Sequence, residues 1–368
     1  MVTVLNEGPL LVKAHTTTAG QQIVEVVLNA PEALNALNGD MVDLLLEHVP
    51  VWEADENVIA ILMRGAGSKA FCAGGDIREL YREIDAGNQH VGEVFFNHEY
   101  EMDLMLHKLA TPLLVWGNGY VIGGGMGLLQ SAAIRMGTPS SRLAMPEVTI
   151  GLFPDVGASY FLRQVPDKLG LFLGLTGAML NGTDGRQLGL LDALLNDDHY
   201  EVLMQCLLGL PRQSHEATLE QLKDQVKSLE IITNDAPESN LDQHRAGIIA
   251  ALNQHAFVDI IAGLSNLKGA CKWLDKAITT MEQGSPTSLH LYNRLFNANF
   301  TNVDQALLQE YTLGVNATRL GEFKEGVRAL LIDKDRNPQW RYKSVETTPE
   351  TWIDQFFSTK DVAPANFS

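Results

Sequence analysis

Two acidic residues in an otherwise apolar segment are the first candidates for chemistry. The segment MPEVTIGLFPDVG, residues 145–157, carries Glu147 and Asp155 eight positions apart. An unpaired charge in apolar surroundings is strongly unfavourable, so such acids usually have either a partner or a function. A structural role is open to each, because Glu147 follows Pro146 as in the first turn of a helix and Asp155 suits a turn or cap. As a pair they favour acid–base or nucleophilic work.

Two glycine-rich turns precede these acids, GAGSKAFCAGGD at residues 65–76 and GNGYVIGGGMG at residues 117–127. Glycine lets the backbone reach positive φ, and a turn that opens a helix directs unpaired N–H groups at one point. Two such turns on neighbouring strands can converge on one thioester oxygen, where losing a single donor typically lowers the rate by about 10²–10³. The alternative is that the glycines only let helix and strand pack closely, and GGG alone favours neither interpretation.

Marks of other chemistries are missing from the sequence. It has no GxxxxGK[ST], HExxH, CxxC or GxSxG motif, and Ile122 stands where a GxGxxG motif begun at Gly117 needs a glycine. The ten histidines are scattered without metal-ligand spacing, so we expect no metal and no redox cofactor. The formal net charge of −18 argues against nucleic acid or an anionic membrane as the main partner.

Cysteine content and the amino terminus bear on location. The three cysteines are far apart and odd in number, which implies no disulfide framework. The opening MVTVLNEGPL has neither a basic leader nor a long apolar run, and no stretch reaches 18 apolar residues. These features predict a cytoplasmic protein.

The distribution of apolar residues predicts the fold class. Buried strands are expected at residues 23–28, 59–63 and 113–116, with amphipathic helices at 38–53, from about 77, and at 128–133. Further helical patterns follow at 216–229, 247–255, 266–282, 286–296 and 303–319. A strand, glycine turn and helix used twice is typical of an α/β domain. We therefore predict a catalytic core at residues 1–205 and a helical carboxy-terminal region at 206–368 that packs on it.

Three motifs together resemble the crotonase, or enoyl-CoA hydratase/isomerase, superfamily. They are KAFCAGGDI at 69–77, GYVIGGGMG at 119–127 and MPEVTIGLFPDVG at 145–157, and the likeness runs from about residue 10 to 200. The resemblance implies a ββα superhelix followed by a helical region. Within the superfamily, GLFPDVG after MPE, the continuation at 159–177 and EFKEGVRALLIDKD at 322–335 are most similar to the 3-hydroxyisobutyryl-CoA hydrolase branch.

The resemblance also implies roles for single residues. The oxyanion amides would belong to Gly75 and Gly124. Glu147 matches the catalytic glutamate, and Asp155 matches the second functional acid. The residues expected along the substrate are Glu99, Asp76, Ile77 and, beside the adenine end of coenzyme A, Ala36.

Departures from the family pattern separate its branches. Gly127 stands where hydratases place a second catalytic glutamate, and Asp155 stands where they place a small residue. Both departures favour hydrolysis of 3-hydroxyisobutyryl-CoA in valine breakdown, with coenzyme A as part of the substrate. Whether Glu147 attacks the carbonyl or activates a water stays open. So do self-association and two alternative functions, an enoyl-CoA hydratase/isomerase of the same superfamily and a catalytically silent acyl-CoA-binding protein.

Overall fold

A computed structural model describes residues 2–88, 90–231 and 236–367. Among these residues the strands are β1 (Val2–Asn6), β2 (Leu10–Thr16), β3 (Gln22–Leu28), β4 (Val58–Gly65), β5 (Ala70–Cys72), β6 (Leu113–Gly117), β7 (Tyr120–Ile122), β8 (Ile134–Gly137), β9 (Arg142–Ala144), β10 (Leu180–Asn181) and β11 (Ala193–Leu194). The helices are α1 (Gly39–Ala54), α2 (Ile77–Asp85), α3 (Val91–His107), α4 (Gly124–Ser131), α5 (Ala158–Phe161), α6 (Leu169–Thr176), α7 (Gly182–Gln187), α8 (Tyr200–Leu208), α9 (His215–Ser228), α10 (Arg245–Leu252), α11 (Phe257–Ser265), α12 (Lys272–Gln283), α13 (Pro286–Asn297), α14 (Val303–Leu320), α15 (Glu322–Val327) and α16 (Glu350–Phe356).

The chain divides into two compact units, each assembled from three stretches of sequence. The first comprises Met1–Gly75, Met102–Leu143 and Leu180–Ser239, and the second comprises Asp76–Glu101, Ala144–Met179 and Asn240–Ser368. The domain boundary at residue 205 stays a prediction.

The first unit contains two sheets. The larger has the order β1-β2-β3-β4-β6-β8-β11, and its pairs are parallel from β3 to β11 and antiparallel from β1 to β3. The smaller has the order β10-β9-β7-β5, with β5 and β7 parallel. Parallel strands need crossover connections, and helices or long turns supply them here.

The central strands form because their sequences are almost continuously apolar. All but one residue of β4 are buried, as is all of β6, which is the pattern of strands covered on both faces. The strands predicted at 23–28, 59–63 and 113–116 are confirmed, and each extends by one to three residues.

The predicted helices of this region are confirmed with small shifts. Asn38 caps α1 by accepting a hydrogen bond from the Met41 N–H at 2.9 Å, so the helix proper begins at Gly39. The helix predicted from residue 128 begins earlier, at Gly124, directly inside the glycine turn.

Helices form most of the second unit. Its most buried helix is α6, every residue of which is buried, and it packs against α10, α12 and α13. A Cβ added at Gly174 would lie 2.1 Å from the ring of Tyr292, so only glycine lets α13 approach this closely.

One predicted helix of this unit was placed wrongly. It was expected to begin at Asn266, but α12 begins at Lys272 after a cap at Cys271, and the separate helix α11 precedes it. Lys268–Gly269–Ala270 lies between the two helices, where Gly269 takes a φ of 99° that a continuous helix does not allow.

The predicted α/β class with a helical carboxy-terminal region is confirmed, and the larger sheet is mostly parallel. Within the described part of the chain, every helix is too short or too polar to cross a membrane.

Candidate active site

The last part of the first glycine-rich turn, residues 73–75, follows β5 in the first unit. Gly74 takes a φ of 102°, a value that side chains rarely allow. Its carbonyl accepts a hydrogen bond from the Leu37 N–H at 2.8 Å, and Leu37 and Gly75 form a parallel bridge. Ala36, which was predicted to lie beside coenzyme A, is half-buried and directly precedes Leu37 in the segment that pairs with this turn.

The last part of the second glycine-rich turn, residues 123–127, follows β7 and opens α4. Gly123 takes a φ of 56° and precedes the first helical residue, Gly124. A Cβ added at Gly125 would lie 2.2 Å from the carbonyl oxygen of Cys72. Gly125 therefore serves close packing, the alternative that the sequence left open, whereas Gly123 serves backbone conformation.

The two turns meet at one end of a strand pair. β5 and β7 are parallel neighbours, and a Cβ added at Gly74 would lie 3.9 Å from the amide nitrogen of Gly124. Neither the Gly75 nor the Gly124 N–H donates a hydrogen bond to a carbonyl oxygen of the described residues. Both amides are thus available as donors, as an oxyanion site requires.

Glu147 belongs to the second unit and begins a short 3-10 turn, Glu147–Ile150, after Pro146. Close packing fixes this turn: a Cβ at Gly177 would lie 2.9 Å from the Pro146 Cα. The Glu147 side chain is buried, and its Oε2 has no hydrogen-bond partner among the described residues. A buried carboxyl oxygen without a partner is unfavourable, which agrees with the predicted catalytic role of Glu147.

Asp155 lies eight residues further on, in a strained turn. Val156 follows it at a φ of 51°, an outlier for a β-branched side chain, and Gly157 takes a φ of 85°. The Tyr100 hydroxyl donates a hydrogen bond to Asp155 Oδ2 at 2.7 Å, and both side chains are buried. Tyr100 thereby fixes one oxygen of the carboxylate.

Electrostatics links three buried acids of the second unit. Burial, and then the charges of Asp155 and Glu99, raise the pKa of Glu147 well above its usual value. Burial, and then the charge of Asp155, raise the pKa of Glu99 to about 8. Burial raises the pKa of Asp155 to about 6, although the hydrogen bond from Tyr100 opposes this rise. Burial and mutual repulsion thus raise the pKa values of all three carboxyls above their usual range, so the cluster favours the binding of protons.

The remaining predicted substrate residues are placed by α2 and α3. Asp76 is exposed and caps α2 by accepting a hydrogen bond from the Arg78 N–H at 3.2 Å. Ile77, the first residue of α2, is half-buried. Glu99 is buried on α3 and shares the electrostatic environment of Asp155. Because the charge of Asp155 acts on it, Glu99 belongs to the same cluster of acids as Asp155.

Sequence reasoning missed two residues that interact with Asp155 of this cluster. They are Tyr100, which donates a hydrogen bond to it, and Glu310, on which its charge acts. Tyr100 is adjacent to Glu99 in sequence, which is at best a weak signal. Glu310 offered a stronger one, since it is the only charged residue between Ala306 and Thr318. A lone acid in an uncharged stretch of helix is unfavourable unless it is satisfied or functional.

No group of three or more His, Cys, Asp or Glu residues is arranged to hold a metal ion in the described ranges. The expectation that no metal is needed stays a prediction.

Comparisons with known proteins agree with this architecture. A carnitinyl-CoA dehydratase from Mycobacterium thermoresistibile matches the fold with a TM-score of 0.83 at 27% identity, covering 98% of this chain and 99% of that one. The fold is thus the crotonase-like α/β fold. A sequence model described as enoyl-CoA hydratase/isomerase matches residues 23–357, and the chain belongs to this family.

Two relatives narrow the comparison. The "3-hydroxyisobutyryl-CoA hydrolase, mitochondrial" of Danio rerio is 34% identical over 91% of this chain and 87% of its own length. The human protein of the same name is 33% identical over 95% of this chain and 92% of its own length.

The predicted cytoplasmic location is wrong, because both of these relatives are named mitochondrial. That prediction depended on cysteine content and on the composition of the first residues. A low cysteine content is typical of more than one reducing compartment, so it does not separate one such compartment from another.

Proposed function

We propose that this chain hydrolyses an acyl-CoA thioester, and that its substrate is 3-hydroxyisobutyryl-CoA, cleaved to 3-hydroxyisobutyrate and coenzyme A in valine catabolism. The names of the two relatives support the substrate. The observation that carries the chemistry is the buried Glu147 carboxyl: its Oε2 has no hydrogen-bond partner among the described residues, and burial and then the charge of a second acid, Asp155, raise its pKa.

In this proposal the Gly75 and Gly124 N–H groups donate hydrogen bonds to the thioester oxygen as it becomes negative. Their freedom from other carbonyl acceptors among the described residues supports that role. Because backbone amides are fixed before the reaction, they stabilise the developing charge without reorganising.

Glu147 then has two routes. Its carboxylate attacks the carbonyl carbon, the C–S bond breaks with release of coenzyme A, and water hydrolyses the resulting mixed anhydride. Alternatively, the carboxylate takes a proton from water and the water oxygen attacks the carbonyl carbon. The C–S bond then breaks, and Glu147 returns the proton to the departing thiolate of coenzyme A. The raised pKa of Glu147 makes the ionised carboxylate a stronger base and nucleophile in either route.

Asp155, held by Tyr100, orients the 3-hydroxyl of the substrate or the attacking water, and Glu99 contacts the acyl group. We propose no metal or redox cofactor, because every bond change in these routes is a proton or acyl transfer. Gly127 lies in α4 and brings no carboxyl to the position where a hydratase has its second acid, so the proposal favours hydrolysis over hydration.

The test is Glu147→Gln, assayed by thiol release from 3-hydroxyisobutyryl-CoA. We expect turnover to fall by about 10³-fold or more while the ester still binds, because the amide keeps the size of the side chain but neither attacks nor takes a proton. The matched control is Glu93→Gln in the same unit, where Glu93 pairs with Arg319 instead of the acid cluster. Its turnover should match the wild type.

Retained turnover in Glu147→Gln would remove Glu147 from its role. Wild-type protein that hydrates crotonyl-CoA and releases no thiol would replace the proposed hydrolase with a hydratase.

A further inference from the structure

A second buried carboxylate, Glu310, contacts the turn that carries Asp155. Glu310 lies on α14 and is fully buried, and no cation pairs with it among the described residues. Its Oε2 accepts a hydrogen bond from the Gly157 N–H at 2.7 Å. Its Oε1 accepts two more, from the Ser159 N–H at 2.9 Å and the Ser159 hydroxyl at 2.5 Å. All three hydrogen bonds of this carboxylate therefore go to residues 157–159.

The contacted turn is one that the chain does not adopt readily by itself. Val156 has a φ of 51°, which is strained for a β-branched residue, and such strain persists only where neighbouring contacts hold it. The local hydrogen bond that closes the turn is from the Ala158 N–H to the Asp155 carbonyl at 2.8 Å. The bonds from Glu310 hold the residues immediately after Val156.

We propose that Glu310 is a positioning residue for Asp155. By binding the backbone at Gly157 and Ser159, it holds the strained turn so that the Asp155 carboxylate stays where Tyr100 bonds it. Glu310 does not itself contact substrate in this proposal, which depends on the hydrolase function proposed above.

A carboxylate is needed for this role because the turn presents three donors. A glutamine has one oxygen, and its NH₂ group would face the Gly157 N–H donor against donor. The ionised form of Glu310 suits the turn, but burial, and then the charge of Asp155, raise the pKa of Glu310 to about 7. Burial, and then nearby charges that include that of Glu310, raise the pKa values of the Tyr100 and Tyr292 phenols.

The test is Glu310→Gln, assayed for thiol release and for thermal unfolding. We expect kcat to fall by about tenfold to a hundredfold with KM changed by less than about threefold, since a buried hydrogen bond to a charged group is lost. Adding Val156→Gly relieves the strain that Glu310 otherwise holds, so the double variant should recover part of the lost kcat.

Asn316→Ala is the matched control. Asn316 is a buried side chain on the same helix, and its Nδ2 donates to the Phe356 and Ser358 carbonyls, both at 2.9 Å. This variant should lose stability and keep kcat. Should Glu310→Gln not fold, Ser159→Ala removes one of the three bonds and should lower kcat by about threefold to tenfold.

The inference is overturned if kcat is unchanged in Glu310→Gln, or in Ser159→Ala should Glu310→Gln not fold. Thiol release by the wild-type protein would leave the hydrolase function intact in that case. An equal kcat loss in Asn316→Ala also overturns it, because the effect would then reflect general destabilisation. Wild-type protein that releases no thiol overturns the hydrolase function and this role together.

Discussion

Replacing Glu99 by glutamine should make the protein more stable, by an amount that grows with pH. Glu99 is buried on α3, where burial and then the charge of Asp155 raise its pKa from the usual 4.5 to about 8. Its negative form is therefore disfavoured in the folded protein but not in the unfolded chain. Glutamine has nearly the same shape and never acquires that charge.

The size of the effect follows from the two pKa values. Glu99 keeps its proton up to a higher pH in the folded state than in the unfolded state. Its charge therefore does not destabilise the fold below about pH 4.5, and it destabilises the fold fully above about pH 8. At about 1.4 kcal/mol for each pKa unit, this amounts to about 3 kcal/mol at pH 7 and about 5 kcal/mol at pH 9. Glu99→Gln should gain that much in free energy of unfolding relative to the wild type.

Urea unfolding of both proteins at pH 5, 7 and 9 measures the gain. The control is Glu93→Gln on the same helix. Burial by itself would raise the Glu93 pKa, but hydrogen bonds from the Ala363 N–H, His90 and Arg319 outweigh burial and lower it. A lowered pKa contributes stability above the unfolded value, so Glu93→Gln should lose a constant amount between pH 7 and 9. A Glu99→Gln gain that is the same at pH 5 and pH 9 would refute the electrostatic reasoning.

Two further predictions concern the site and the glycine turns. Tyr100→Phe removes the hydroxyl that donates a hydrogen bond to the ionised Asp155, so the Asp155 pKa should rise by about one unit. The acid limb of the pH profile of kcat/KM should then move to higher pH. If that limb does not move, Asp155 does not control it. Gly125→Ala forces a Cβ to within 2.2 Å of the Cys72 carbonyl oxygen and should lower the free energy of unfolding by about 1–3 kcal/mol. The control is Gly39→Ala, which has open space around the new Cβ and should change that free energy little. Equal denaturation midpoints for the two variants would contradict the packing argument.

Local patterns in the sequence were sufficient for the parts of the site whose cause is local. The glycine turns were predictable because positive φ at Gly74 and Gly123 is a property of the residue and its immediate turn. The strands β4 and β6, which precede the two glycine-rich stretches, were predictable because continuous apolar runs of this length suit a sheet covered on both faces. The short strands β5 and β7 inside those stretches were not predicted. Glu147 and Asp155 were recognisable because acids are conspicuous in an apolar segment.

Only the tertiary structure decided what surrounds those acids. Tyr100 is 55 residues from Asp155, and Glu310 is 153 residues from Gly157, so no local pattern relates either partner to the turn that it holds. The pKa values of Glu99 and Asp155 depend on how much water and how many charges the folded chain leaves near each carboxyl. Burial and charge proximity are properties of packed neighbours, and the order of residues along the chain does not contain them directly.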